Sequence, residues 1–480
     1  MGTFNCQGWA GFVLQQKLKL MKSSLKVWHS QHIQNMDGRM KEVKDRMSAL
    51  DAKAEIADLQ ETEVTELHDL SVSLHSMTRM QNSIYWQKSR MNWLKEGDTN
   101  SKKIHNYMSR RRRQNVIHLV SADGGNVEGV NNIRETVFNH FSQHFQYVGA
   151  VRPGIDGLNF RKLSFIEAGM LTKPFCLEEV KLAVWDCDSY KSPGPDSVSF
   201  GFVKEFWSLL KDDLLRFMVE FHRNGKLTKG INSTFIALIS KVNSLQRLND
   251  FRPISLAGSL YKILAKVLAN RLRSVIGSVV SEGQSAFVKG KQILDGILFA
   301  NEAIDEASRM KKELLLFKVD FKKAYDSVDL NYLNAVMVNM NFPKLWRKWI
   351  IKCVGTAKAS VLVNGSPTDE FPLKRDLRQG DPLSPFLFLL AVVGLNVLMT
   401  AVEGAHLFIG YGFGVHAEVR LTHLQFVGDT LIIGEMSWLN VRTMRSVLLL
   451  FEELSGLKVN FQKVCQLVLK FWSPGCQRRL

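Results

Sequence analysis

The chain has 480 residues, 45% of them hydrophobic and 23% charged, an ordinary globular balance with apolar mass for about two or three domains. Lys and Arg number 63 against 46 Asp and Glu, a formal net charge of +17. The excess suits a polyanionic partner, because each phosphate neutralised by a cation releases counterions, although a basic protein that is merely soluble shows the same balance. Six scattered cysteines (Cys6, Cys176, Cys187, Cys353, Cys465, Cys476) lack disulfide or metal-ligand spacing and read as reduced intracellular thiols. Residues 1–20 lack the apolar core of a signal peptide. The longest apolar run, 386–393, is too short to span a bilayer, so no membrane insertion is expected.

Along the chain, Ile33, Met36, Met40, Val43, Met47, Leu50 and Ala54 step by three and four, and a second stripe runs through Leu67, Leu70, Leu74 and Met77. With acids and bases between them, these positions predict one or two amphipathic helices, as a hairpin or a short coiled coil. Residues 1–85 thus read as a helical arm that either dimerises or packs on its own protein. Residues 86–159 read as a basic linker. There Lys102, Lys103, Arg110, Arg111, Arg112 and Arg113 interleave with Trp86, Trp93, His105 and Tyr107, which suits a nucleic-acid backbone with stacked bases; a solvated helix face is the other reading. The turn Asp123-Gly124-Gly125 predicts a loop or hairpin. Beyond residue 160, helical and strand-like segments alternate, as in an α+β domain.

Three features carry chemistry. In LLLFKVDFKKAYDSV (314–328) an apolar run predicts a buried strand delivering Asp320 at its C-terminal end, and Asp329 can cap a following helix. In DLRQGDPLSPFLFLLAVVGL (376–395), Gly380 permits a turn or close approach, and Asp381-Pro382 reads as helix cap and first turn of a core helix. That reading leaves Arg378 and Gln379 unexplained. In THLQFVGDTLIIGE (422–435), two short strands flank a turn at 427–430, a β-hairpin whose tip carries an acid. Each feature alone has a structural explanation: an Asp capping a turn, a helix start, turn geometry.

Together they follow the order of a reverse-transcriptase palm, and the chain is similar to plant LINE-type (non-LTR) retrotransposon reverse transcriptases. The resemblance extends through WLKEGDTNSK (93–102), KSPGPDSVSFGFVKEFW (191–207), LISKVNSLQRLNDFRPISLAGSLYKILAKVLANRL (238–272), SEGQSAFVKGKQILDGILFANE (281–302) and SGLKVNFQK (455–463). It implies an α+β right-hand polymerase, with fingers and an antiparallel palm sheet behind the helical arm. The implied division is an N-terminal fingers extension over 160–230, a reverse transcriptase domain over 231–465 and a divergent tail over 466–480. It also implies a truncated copy with the thumb largely missing and no endonuclease ahead of the linker.

The resemblance implies RNA-directed DNA polymerase activity on an RNA template, a DNA primer or target and dNTPs. It gives nuclear action as a family expectation only, and no oligomeric state. Two Mg²⁺ ions about 4 Å apart would stabilise the attacking and leaving oxygens, held by hard carboxylate ligands. Asp320 and Asp429 match two of the family's acids. Lys241 and Arg252 match residues gripping the triphosphate. Phe321 matches a backbone ligand, Tyr325 the gate against a ribose 2′-OH, and Gln379 a residue lining the nucleotide pocket. The family's hairpin tip reads F-A-D-D, whereas this chain reads Phe426-Val427-Gly428-Asp429. Gly428 cannot ligate a metal, so the two-ion site is expected to be incomplete and catalysis impaired. A catalytically dead RNA- or DNA-binding relic of the same fold is the alternative.

Overall fold

The computed structural model describes residues 8–32, 35–89, 106–107, 109–110, 113, 115–122, 125–146, 152–241, 247–281, 283–284, 286–288, 290–374, 377–413, 419–460 and 466–469. The chain divides into two units, Met1–Gly8 with Phe12–His118, and Trp9–Gly11 with Leu119–Leu480. The boundary therefore cuts through the expected linker of 86–159.

The first unit is helical: α1 (Ala10–His32), α2 (Met36–Ala54) and α3 (Glu61–Ser89). The last two form the expected hairpin. Their antiparallel pairing is laced by Arg46 to Glu66 (2.8 and 2.9 Å), Lys53 to Glu63 (2.5 Å) and Gln81 to Asp37 (2.5 Å). Met40 and Leu50 of the predicted stripe are buried. Helix α1 falls within the expected helical arm but outside the stripes that pointed to it. Its buried residues Leu14, Leu18 and Met21 make only a short stripe beside several lysines, too weak a period to stand out.

The second unit has an antiparallel pair, β1 (Leu119–Ala122) and β2 (Gly125–Glu128); Asp123 and Gly124 of the predicted turn lie outside the described residues. Then come α4 (Val130–His144), α5 (Phe165–Thr172), α6 (Leu177–Trp185), α7 (Phe200–Glu205) and α8 (Trp207–Asn224). The hairpin β3 (Ser233–Ser240) and β4 (Phe251–Ala257) leads to α9 (Ser259–Val279), α10 (Ile293–Met310) and β5 (Leu314–Val319). After α11 (Leu330–Asn339) and α12 (Lys344–Gly355), the short strands β6 (Lys358–Val363), β7 (Ser366–Pro367) and β8 (Phe371–Pro372) precede α13 (Ser384–Gly404). The chain continues through β9 (Tyr411–Phe413), β10 (Val419–Leu421), β11 (His423–Phe426), β12 (Asp429–Glu435), α14 (Trp438–Ser455) and β13 (Gln466–Leu469).

Two sheets organise this unit. One has the order β4-β3-β6-β7, with β8 also pairing β6 and with β3 and β6 parallel. The other is antiparallel, in the order β11-β12-β5-β13. After residue 465, residues 466–469 form β13 and pair with β5, in the register Gln466 to Phe317.

Helix α13 is the spine of the core, packed on α9, α11 and α14. It is long and apolar enough to cross a membrane, with mean hydropathy 2.3 over an 18-residue window. Yet 72% of that window is buried in the fold, as expected of a core helix that is apolar on nearly every side.

Candidate active site

Strand β5 is buried at every position except Lys318, as a strand covered on both faces should be. Asp320 follows its last residue and is half-buried. The backbone around it is pinned: the Asp320 carbonyl accepts from the Asn460 N–H (2.8 Å), and the Lys322 N–H donates to the Lys458 carbonyl (2.8 Å). The Phe321 side chain points into the core, 5.8 Å from the Phe451 ring, which leaves only its backbone for the expected role. Asp329 caps α11, accepting from the Asn331 and Tyr332 N–H groups at 2.8 and 3.1 Å.

In the β11–β12 hairpin Phe426 pairs with Asp429. The turn is therefore two residues, Val427-Gly428, and not the four anticipated; Asp429 is the first residue of β12. The positive φ that such a turn requires falls on Val427 (55°) and not on Gly428, an uncommon state for a β-branched residue. The hairpin is braced from the side: Gln425 N–H donates to the Gly283 carbonyl (2.9 Å), and Val427 N–H to Gln284 Oε1 (3.3 Å). Asn396 of α13 donates to Gln425 Oε1 (3.1 Å).

Thr430 lies opposite Val319. One step further, that antiparallel register puts Asp429 opposite Asp320, with both on the face that carries Lys318. Lys318 Nζ sits 3.2 Å from Asp429 Oδ1, with the two side chains 53% and 60% exposed. Sequence reasoning missed Lys318; its signal was a lone cation inside an apolar strand. Among the described residues no group of three or more His, Cys, Asp or Glu side chains could hold a metal ion. Two carboxylates, one already paired with an ammonium, do not fit a two-ion centre.

Gly428 faces Phe388 of α13. A Cβ built there would meet Phe388 Cε1 at 3.2 Å and Cζ at 3.4 Å, close enough that the ring must yield a few tenths of an ångström. The same ring lies 5.0 Å from that of Tyr325, tilted by 32°. Burial pushes the Tyr325 phenol above its ordinary range. Phe388 thus lies against both Tyr325 and Gly428. It was hidden in the sequence by the uniformly apolar helix around it.

Lys241 and Arg252 are both exposed at the end of the β3–β4 hairpin. Ile239 pairs with Arg252, so Lys241, two residues on, shares its face. Lys241 Nζ donates to the Asn249 carbonyl (2.9 Å), and Lys323 Nζ, from the loop after Asp320, donates to Asn249 Oδ1 (3.1 Å). Lys323, unforeseen, therefore links this hairpin to the acid-bearing loop. Gln379 is held against β4, its carbonyl accepting the Ser255 N–H at 2.7 Å, while Leu377 N–H donates to the Tyr325 carbonyl at 3.0 Å. Gly380, at φ 99°, lies where a Cβ would come 3.0 Å from the Ser255 carbonyl oxygen, which is the close approach expected of it.

Arg378, unexplained by sequence, is structural. It is buried against Asp381 (2.9 Å) and over the Tyr261 ring (4.0 Å), and it donates to Asn232 Oδ1 (2.8 Å) and the Cys353 carbonyl (3.2 Å). Asp381 is correspondingly not the helix cap. Helix α13 starts at Ser384 behind Leu383; Asp381 instead takes the Leu383 N–H (2.9 Å) and the Tyr261 hydroxyl (2.7 Å). Of the basic linker, Arg110 and Arg113 are exposed; Lys102, Lys103, Arg111 and Arg112 lie outside the described residues.

Acids at the head of an antiparallel sheet, a glycine turn into a core helix and a basic hairpin opposite them are thus assembled in one unit. Residues 239–477 match the reverse transcriptase (RNA-dependent DNA polymerase) family. The match takes in β13. The chain is 27% identical over 366 residues to a transposon TX1 149 kDa protein of Xenopus laevis, covering 75% of this chain and 27% of that protein. It is 24% identical over 295 residues to the Pol polyprotein of the type-1 retrotransposable element R2 of Popillia japonica, covering 61% and 39%. A probable RNA-directed DNA polymerase from transposon BS of Drosophila melanogaster is 25% identical over 232 residues, covering 46% and 22%. The chain thus spans well under half the length of these relatives.

Proposed function

We propose that this chain is the polymerase segment of a LINE-type (non-LTR) retrotransposon protein, built for RNA-directed DNA synthesis and impaired in it by Gly428. The observation that carries the reading is the register that sets Asp429 against Asp320 with Gly428 beside them. In this reading the sheet of β11, β12, β5 and β13 is the palm, and the β3–β4 hairpin belongs to the fingers. Lys241, Arg252 and Lys323 offer cations to a dNTP triphosphate, Tyr325 meets the sugar, and an RNA template with its DNA primer follows the basic surface.

Magnesium would supply charge neutralisation at the reacting phosphate, and the donor set here is too small for a pair of ions. The backbone at Gly428 does not forbid an acid, since its φ is not in the left-handed region. Primer extension with Mg²⁺ should therefore be at least about 100-fold faster for Gly428→Asp than for the parent, the yield of about 3 kcal/mol of transition-state stabilisation. Full activity of the parent would refute the impairment. Binding of RNA–DNA hybrid with no extension by either protein would favour a binding relic.

A further inference from the structure

Lys318 breaks the pattern of its strand. Its neighbours in β5 are buried apolar residues, whereas its own side chain is 53% exposed and its ammonium stands 3.2 Å from Asp429 Oδ1. The cross-strand register makes the pair a diagonal one: Lys318 lies opposite Leu431, two residues from Asp429 on the same face. With Gly428 contributing nothing, the face at the head of the sheet holds two carboxylates and one ammonium, a single net negative charge. A divalent cation approaching Asp429 must either displace that ammonium or bind beside it.

Resting on the polymerase reading above, we propose that Lys318 is a resident cation of the acid site: it positions Asp429 and limits this chain to weak binding of one divalent ion. The pair is too exposed to contribute much to folding. Its effect is on what Asp429 can offer a metal. Two unit charges at this separation interact by about 1 kcal/mol in water and by more at a protein surface. Losing the ammonium should therefore tighten the ion by about tenfold.

The test is a Mn²⁺ titration of the full chain at fixed ionic strength, reading free Mn²⁺ by electron paramagnetic resonance. The parent should bind one ion. Lys318→Gln should bind one ion about tenfold tighter, and Lys318→Arg should behave as the parent. Gly428→Asp should add a second ion. In an Asp429→Asn background the Lys318→Gln change should have no effect, because a pairwise coupling vanishes when one partner is gone. Unchanged affinity in Lys318→Gln overturns the proposal. So does an equal gain in Lys318→Arg, or a parent that binds two ions as tightly as Gly428→Asp. Because the measurement needs no nucleic acid, it separates the two readings. If the Mn²⁺ shifts appear and Gly428→Asp extends no primer, the polymerase reading fails alone. If Gly428→Asp extends primers and Lys318→Gln leaves Mn²⁺ affinity unchanged, the Lys318 proposal fails alone.

Discussion

Gly428, which in the proposed reading stands where an acid is expected, does not serve the turn it sits in, because the left-handed residue there is Val427 at φ 55°. Nothing in the hairpin's backbone asks for glycine, and the space for a Cβ ends at a Phe388 ring edge that can shift. A second residue of the same hairpin has a pH signature. His423, in β11, is buried; its Nδ1 lies 2.9 Å from Thr422 Oγ1, and its Nε2 has no partner among the described residues. Burial lowers its pKa from 6.5 to about 4. Below pH 6.5 the unfolded chain takes up a proton that the folded one refuses until about pH 4, so stability falls across that window as pH falls. At pH 5 the loss should be about 2 kcal/mol relative to neutral pH. Urea denaturation of the parent and His423→Gln at pH 7.5 and 5 checks this: the variant should lose about that much less on acidification.

At the scale of elements, one buried cation ties three helices to a sheet. Arg378 meets Tyr261 of α9, Cys353 of α12, the Asn232 side chain just before β3, and Asp381 ahead of α13. Arg378→Met would leave the Asp381 carboxyl, 4% exposed, without its cationic partner. That should cost about 3–5 kcal/mol of stability, the usual penalty for breaking a buried pair from one side. A fall in urea midpoint with an unchanged slope would show it, and a loss under 1 kcal/mol would count against it. This junction also marks where the sequence stops being legible. Period and punctuation sufficed for the α2–α3 hairpin, for β5 ending just before Asp320, for the Asp329 cap and for the core nature of α13, because each is decided within a few residues. Arg378, Lys318, Lys323 and Phe388 take their meaning from partners brought in by distant strands and helices. The strand β13 escaped notice for a similar reason: it is defined by pairing with a strand some 150 residues earlier, and four residues carry too little pattern to show it.

At the scale of the molecule, charge is the property most open to test. A formal charge of +17, with exposed Lys241 and Arg252, predicts binding of an RNA–DNA hybrid driven largely by counterion release. Its affinity, read by fluorescence anisotropy, should fall about 1000-fold or more between 50 and 200 mM salt. An affinity that hardly moves with salt would mean that these cations do not lie along the nucleic acid.

The strand β13 has a consequence of another kind. It lies along β5, whose sequence is Leu-Leu-Leu-Phe-Lys-Val. Left bare, that edge would be a row of unmatched peptide groups on a largely apolar segment, a template for stacking with identical segments of other chains. The residues after 465 have no part in any chemistry described above, yet their strand covers the edge through which the acid-bearing β5 would recruit copies of itself. They bear on solubility: a chain cut at residue 465 would keep Asp320, Gly428 and Asp429 and lose its protection from aggregation.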